Sequence, residues 1–260
     1  MALLDGGGYA EYAVAHEGTV MPMPREFSFI EAAAVPEAFL TAWQCLKYHG
    51  DVQPGQRVLI HAGASGVGTA LAQLVERHFK ATAITTSSAE KVDVCKSFAS
   101  HALDRTPDEA GVCFAPKVKS LFGEESINLI IDPVVGGTYL SEDALCIAND
   151  GKIVVIGFMG GTNVFFSCLP LHRQRAEIIF SKLRSESMEL KAQLVSTFEE
   201  EIVPLLSARK VLPVANKTYP LEEVKQAHTY LDDPKTWGKI VLTVNSPLVE
   251  RAKASPLPIH

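Results

Sequence analysis

Three glycines, Gly63, Gly66 and Gly68, stand in the stretch RVLIHAGASGVGTALAQLV, where an apolar run gives way to a helical pattern. A glycine turn between a strand and a helix brings backbone N–H groups and a helix N-terminus to one point, an arrangement suited to a diphosphate. Lacking a Cβ, glycine lets such a group come close to the donors. The spacing is G-x-x-G-x-G and not the more usual G-x-G-x-x-G, and a tight strand-to-helix turn needs the same residues. The surrounding pattern has to decide between the two.

A second set lies about 20 residues further on, where sites for an unphosphorylated dinucleotide place an acid against the ribose hydroxyls. Here the stretch reads ITTSSAEKV: Thr85, Thr86, Ser87 and Ser88 fill that place and Lys91 follows. Hydroxyls, helix-start amides and an ammonium suit a 2′-phosphate, which a carboxylate would repel. Arg105, at the end of the third predicted strand, reaches the same point in a 3-2-1-4 strand order. The set points to NADP(H), with Glu90 expected to turn its side chain away. Single basic residues are more commonly solvated surface charges, and it is the coincidence with the missing acid that gives these two their meaning.

The elements that would position these groups alternate. Short apolar runs at 57–62, 81–86, 102–105, 127–132, 152–156 and 178–182 predict strands, and helical patterns at 66–79, 89–99, 109–122 and 137–148 lie between them. Such βαβ alternation predicts a doubly wound parallel sheet of the Rossmann type, order 3-2-1-4-5-6. The loops DPVVGG and GFMGG then leave the carboxyl ends of the fourth and fifth strands, where open α/β sheets bind ligands. Gly157 and Gly160 would let backbone approach the reactive end of a dinucleotide, with Phe158 or Met159 as a wall. Before this region, YAEYAVA at 9–15 predicts a strand, Ser28 a helix cap, and 37–49 a helix ending at Gly50. After it come a long helix from Glu186, a second within PLEEVKQAHTYLDD, and a closing strand, GKIVLTV. The proline-bearing tail, 247–260, is expected to be disordered.

Composition sets limits. The 260 residues carry a net charge of −6, with 47% hydrophobic and 21% charged residues, as an ordinary globular protein does. Nothing in that balance attracts nucleic acid or an anionic membrane. The cysteines at 45, 95, 113, 146 and 168 form no metal-binding spacing and are expected to be buried, reduced thiols. No bound metal, no membrane span and a cytoplasmic location are expected.

The blocks MALLDGGGYAEYAVAHEG, AAAVPEAFLTAWQCL, VLIHAGASGVGTALAQL, GFMGG and GKIVL resemble the zinc-independent quinone oxidoreductases of the medium-chain dehydrogenase/reductase superfamily, in a zeta-crystallin-like branch. The resemblance runs from residue 1 to about 245. It implies an NADPH-dependent oxidoreductase acting on a small-molecule quinone or enone, assembled as a homodimer or homotetramer. It implies that Thr41 lies near the nicotinamide and that Ser65, Gly66, Val67 and Gly68 face the pyrophosphate. Ser88, Lys91 and Arg105 then face the 2′-phosphate; Phe158 to Gly160, Leu183 and Arg184 flank the nicotinamide, and Lys239 returns from the last strand. Dimers in the family pair through the edge of the cofactor domain, here GTNVFFSC. Members also carry an N-terminal, GroES-like catalytic domain of which residues 1–36 and 208–246 read as remnants, around a cofactor domain at 37–207. With that domain largely missing, a cofactor-binding module of little or no turnover is the alternative. Tyr9, Tyr12, His16 and His61 are candidate proton donors or plain packing residues, and no catalytic residue is assigned.

Overall fold

The computed structural model describes residues 1–244; the tail expected to be disordered lies outside them. Its centre is a six-stranded parallel sheet of β1 (Arg57–Ile60), β2 (Thr82–Ser87), β3 (His101–Asp104), β4 (Ile127–Asp132), β5 (Ile147–Val155) and β6 (Glu177–Phe180). The order is β3-β2-β1-β4-β5-β6, as the alternation of patterns predicts. The register places Val58 opposite both Ala83 and Leu129, so β1 and β4 lie side by side at the middle of the sheet. Their residues are almost wholly apolar because neither face meets water. Side chains then divide by the period of two. Val58, Ile60, Ala83, Leu129, Ile131 and Val154 join one core cluster, and Leu59, Ile84, Ile130, Ile153 and Val155 join the other.

The first cluster is closed by α2 (Pro36–Trp43), α3 (Gly66–Leu74) and α8 (Met188–Glu201). A short α1 (Phe29–Ala33) precedes α2. Ser28 caps it, its Oγ accepting the Glu31 N–H at 3.2 Å while Glu31 Oε2 accepts the Ser28 N–H at 2.9 Å. Pro36 starts α2 at a position where its missing N–H costs nothing. Trp43, wholly buried, donates from Nε1 to Thr197 Oγ1 at 3.0 Å and so ties α2 to α8. The second cluster is closed by α5 (Ala115–Phe122), α6 (Tyr139–Cys146) and α7 (Leu169–Gln174); α4 (Val92–Lys96) joins β2 to β3. Beyond α8 come α9 (Val203–Ser207), β7 (Ala215–Pro220), α10 (Val224–Leu231) and β8 (Lys239–Thr243). β7 and β8 make a separate two-stranded parallel sheet.

Several expectations change. Residues 9–15 form no strand, and Tyr9, Tyr12 and Val14 are exposed; among the described residues they find no partner to pair with. The helix expected at 109–122 starts at Ala115, because Asp108 closes the preceding turn by accepting the Ala110 and Val112 N–H groups at 2.9 Å. The long helix breaks between α8 and α9, where Pro204 stands at the start of the second piece. GTNVFFSC is neither a strand nor a buried loop: Phe165 is fully exposed, and the open sheet edge on this side is β6. Four cysteines are buried free thiols as expected, but Cys168 is exposed.

Candidate functional site

At the carboxyl end of β1 the chain turns through Ala62, at φ 51°, into the glycine turn and α3. Ser65 is the helix cap, with Oγ accepting the Gly68 N–H at 3.0 Å. The three glycines serve different ends. A Cβ on Gly63 would lie 2.5 Å from Thr85 Cβ, and one on Gly68 would lie 2.4 Å from the Ala62 carbonyl oxygen. Both are close approaches within the protein. A Cβ on Gly66 would meet the Lys239 side chain, 2.3 Å from Cδ, a flexible group that can move aside. Of the three, Gly66 is faced mainly by a flexible side chain, that of Lys239, which lies over it. Gly238 pins this arrangement: its N–H donates to the Ala64 carbonyl at 2.7 Å, and it bridges to Ser65. Val67 is half-buried against the first core cluster.

The second constellation also comes together. The Arg105 N–H donates to the Ser87 carbonyl at 2.8 Å, which sets the ends of β2 and β3 side by side. Lys91 Nζ donates to the Thr236 carbonyl at 2.9 Å. Burial lowers the pKa of the Lys91 ammonium, and the charge of Arg105 lowers it further. Two mutually repelling cations invite an anion between them. Beside them the Ser88 Oγ is buried and has no hydrogen-bond partner, an unmet bond of the kind a phosphate oxygen satisfies. Ser87 Oγ is turned to the Ser88 carbonyl at 3.1 Å. Glu90 is exposed, although its charge still acts on Lys91. The glycine turn, the unpartnered hydroxyl and the cation pair fit a dinucleotide that carries an extra phosphate.

At the other end, the loops after β4 and β5 are bonded to each other. The Met159 and Gly160 N–H groups donate at 2.9 Å to the carbonyls of Pro133 and Val134. Phe158 stacks on Phe180 with centroids 6.4 Å apart, and both Phe158 and Met159 are exposed. Gly157 lies against Pro133, where an added Cβ would be 3.1 Å from its carbonyl oxygen. Arg184 donates to the Asp5 carbonyl at 2.8 Å, while Lys191, buried, reaches Asp5 Oδ1 at 2.7 Å and the Arg184 carbonyl at 2.9 Å.

Two clefts share Leu3, Leu4, Gly6 and Glu37. One, of about 430 Å³, touches Gly238 and Lys239, and the other, of about 220 Å³, touches Leu183 and Arg184. Lys239 thus lines the first cleft and Leu183 and Arg184 the second, and the two clefts meet at Leu3, Leu4, Gly6 and Glu37. Leu183 itself is buried in the first core cluster, and Thr41 is half-buried on α2 with no side-chain hydrogen bond among the described residues.

One polar group was undervalued in the sequence. His61 is wholly buried, with Nδ1 2.8 Å from Thr86 Oγ1 and Nε2 2.8 Å from Asp143 Oδ1. That removes it as a proton donor to any substrate. Asp132, Asp143 and Glu142 are buried with it, and Glu142 accepts the N–H groups of Cys113, Phe114 and Ala115 at 2.7–2.9 Å. Desolvation holds His61 down at about 4 and pushes Asp132 up to about 6 and Asp143 well above its ordinary range. The signs then follow. His61 makes the fold less stable as pH falls from 6.5 toward 4, and Asp132 makes it less stable as pH rises from 3.8 to 6, so the two oppose each other. Asp143 acts in the same sense as Asp132: as pH rises above 3.8 it costs stability, because the folded form holds a proton that the unfolded form has released. Asp143→Asn imitates the protonated acid, and we expect it to flatten the fall of the urea midpoint as pH rises above about 3.8.

Among the described residues, no three His, Cys, Asp or Glu side chains stand together as a metal site. The sequence profile of the zinc-binding dehydrogenases matches residues 99–242. Human quinone oxidoreductase is 27% identical over 244 residues, covering 91% of this chain and 69% of the human protein. The quinone oxidoreductase of Thermus thermophilus, solved also in complex with NADPH, superimposes with a TM-score of 0.77 at 29% identity, over 93% of this chain and 75% of its own. An NAD-dependent alcohol dehydrogenase structure superimposes with a TM-score of 0.78 at 30% identity, over 92% of this chain and 66% of its own. The chain spans about two thirds to three quarters of the length of these relatives.

Proposed function

Because the chain belongs to the zinc-binding dehydrogenase family, we propose that it is an NADPH-dependent oxidoreductase that reduces quinones or related conjugated carbonyls. The observation that carries the choice of cofactor is the pair of cations, Lys91 and Arg105, drawn together beside Ser88. A carboxylate in its place would favour a plain ribose. Gly66 and the amides at the start of α3 would take the pyrophosphate, and Ser88, Lys91 and Arg105 the 2′-phosphate. When bound, the cofactor supplies a hydride. The chain's own residues would orient and shelter it: the exposed Phe158 and Met159 would wall the nicotinamide end, and Lys239 stands over Gly66. The likeness to both an NAD-dependent and an NADPH-binding structure makes the cation pair the deciding feature.

A second reading is cofactor binding with little turnover. It is favoured by the exposure of Tyr9, Tyr12 and Val14 near the groove, since hydride transfer is helped by a dry site. A fluorescence titration with NADPH, followed by addition of 9,10-phenanthrenequinone, separates the two. Binding with quinone-dependent loss of NADPH absorbance supports the first reading; binding without it supports the second. Failure to bind NADPH ahead of NADH would sink both.

Residues 37–207 make the cofactor domain in this proposal, with 1–36 and 208–246 as parts of a catalytic domain. The exposed β6 edge, which ends at Phe180, is assigned to self-association; light scattering is expected to give the mass of two or four copies. No helix among the described residues is long and apolar enough to cross a membrane, and the cytoplasm is the proposed location.

A further inference from the structure

Val135 stands at φ 63° although its side chain is branched at Cβ and buried. The left-handed region is costly for such a residue, so something must hold it there. Asp132 does. Its buried carboxylate accepts the Val134 N–H at 2.6 Å, and the Val135 N–H at 3.0 and 3.1 Å through its two oxygens. The turn so fixed lays Gly136 on the next loop, where a Cβ on Gly136 would fall 1.8 Å from the Gly160 carbonyl oxygen. On that seat rest the two N–H bonds from Met159 and Gly160. Behind Asp132 stand Asp143 and His61, close enough for their charges to act on it, and His61 is itself held between Asp143 and Thr86.

We infer that Asp132 is a positioning residue of the groove: its carboxylate holds a strained turn at Val135, and that turn seats the 157–161 loop that presents Phe158 and Met159. The inference rests on the proposed function only in taking that loop to flank the nicotinamide. Asp132 itself touches neither substrate nor cofactor.

The test is amide hydrogen exchange at Met159 and Gly160 in the full chain without cofactor. Asp132→Asn replaces one accepting oxygen by an NH₂ group facing the Val135 N–H. With the strained turn no longer held, exchange at both amides is expected to quicken roughly tenfold. Asp132→Asn combined with Val135→Gly is expected to bring exchange back to within about twofold of wild type, since glycine takes the turn unaided. The same glycine deletes a buried side chain, so the urea midpoint should fall further while the loop recovers. A merely structural role would move both together. Gly136→Ala leaves Asp132 and its partners intact but wedges the loops apart, and it is expected to quicken the same amides even if the Asp132 variant folds poorly. Unchanged exchange in Gly136→Ala, or no recovery in the double variant, overturns the inference. NADPH affinity should fall in Asp132→Asn while that of 2′,5′-ADP, which lacks the nicotinamide end, holds; an equal loss for both ligands also overturns it. If the wild type binds neither ligand, the functional reading has failed, and the exchange result still decides the role of Asp132.

Discussion

Replacing Lys91 and Arg105 together by alanine is expected to weaken NADPH binding by about two orders of magnitude or more while leaving NADH within a few-fold. Each cation would make a charge-assisted contact with the 2′-phosphate, worth about 1.5–3 kcal/mol, or about tenfold to a hundredfold in affinity. In the free protein the exposed Arg105 side chain also acts on the Tyr139 hydroxyl and the Asp104 carboxylate. Lys91 holds a single carbonyl, that of Thr236, and the charge of Arg105 acts against its ammonium. Their removal should therefore cost the fold little, and the loss should appear in binding alone. Raising the salt should narrow the gap between wild type and variant, because Arg105 is exposed. Calorimetric titration with both cofactors settles it. An equal loss for NADPH and NADH, or no loss, would remove the phosphate assignment.

Gly68→Ala should be the most damaging single methyl in the turn, at about 2–4 kcal/mol. The added carbon would sit 2.4 Å from one backbone oxygen and 2.7 Å from the next, those of Ala62 and Gly63. Neither atom belongs to a side chain that could swing away. The turn would have to open, and the Ser65 cap on the Gly68 N–H would go with it. Gly66→Ala is the control. Its new carbon meets mainly Lys239 methylenes, so stability should drop by less than about 1 kcal/mol while NADPH binding suffers. Urea titrations of both variants, paired with NADPH fluorescence, give the comparison. Equal destabilisation by the two would mean that Gly66 is as much a packing residue as its neighbour.

The central sheet was readable because its strands obey a single constraint, burial on both faces, which writes itself into runs such as INLIID at β4. The glycine turn and the basic pair were readable for a related reason: they sit at ends of those runs, and strand order alone brings Arg105 to Ser87. Most of what lay outside the sequence depended on a partner far along the chain. β7 is NKTYP and its neighbours, half-exposed and without alternation, and it is a strand only because β8 arrives beside it. YAEYAVA alternates well and is no strand, since among the described residues nothing pairs with it. The helix start at Ala115 was set by Asp108 closing a turn, a local bond that helical periodicity cannot report. His61 and Asp143 are 82 residues apart and meet only once α6 packs on the sheet. The different surroundings of the three glycines, protein atoms packed against Gly63 and Gly68 and a movable lysine over Gly66, became visible only with the atoms that crowd each one.

The clasp between Gly238 and Ala64, with Lys239 lying across Gly66, gives the small sheet a bearing on events at the large one. The arm over Gly66 carries an ammonium and is rooted at the start of β8. The late part of the chain thereby both braces and shades its own earliest motif.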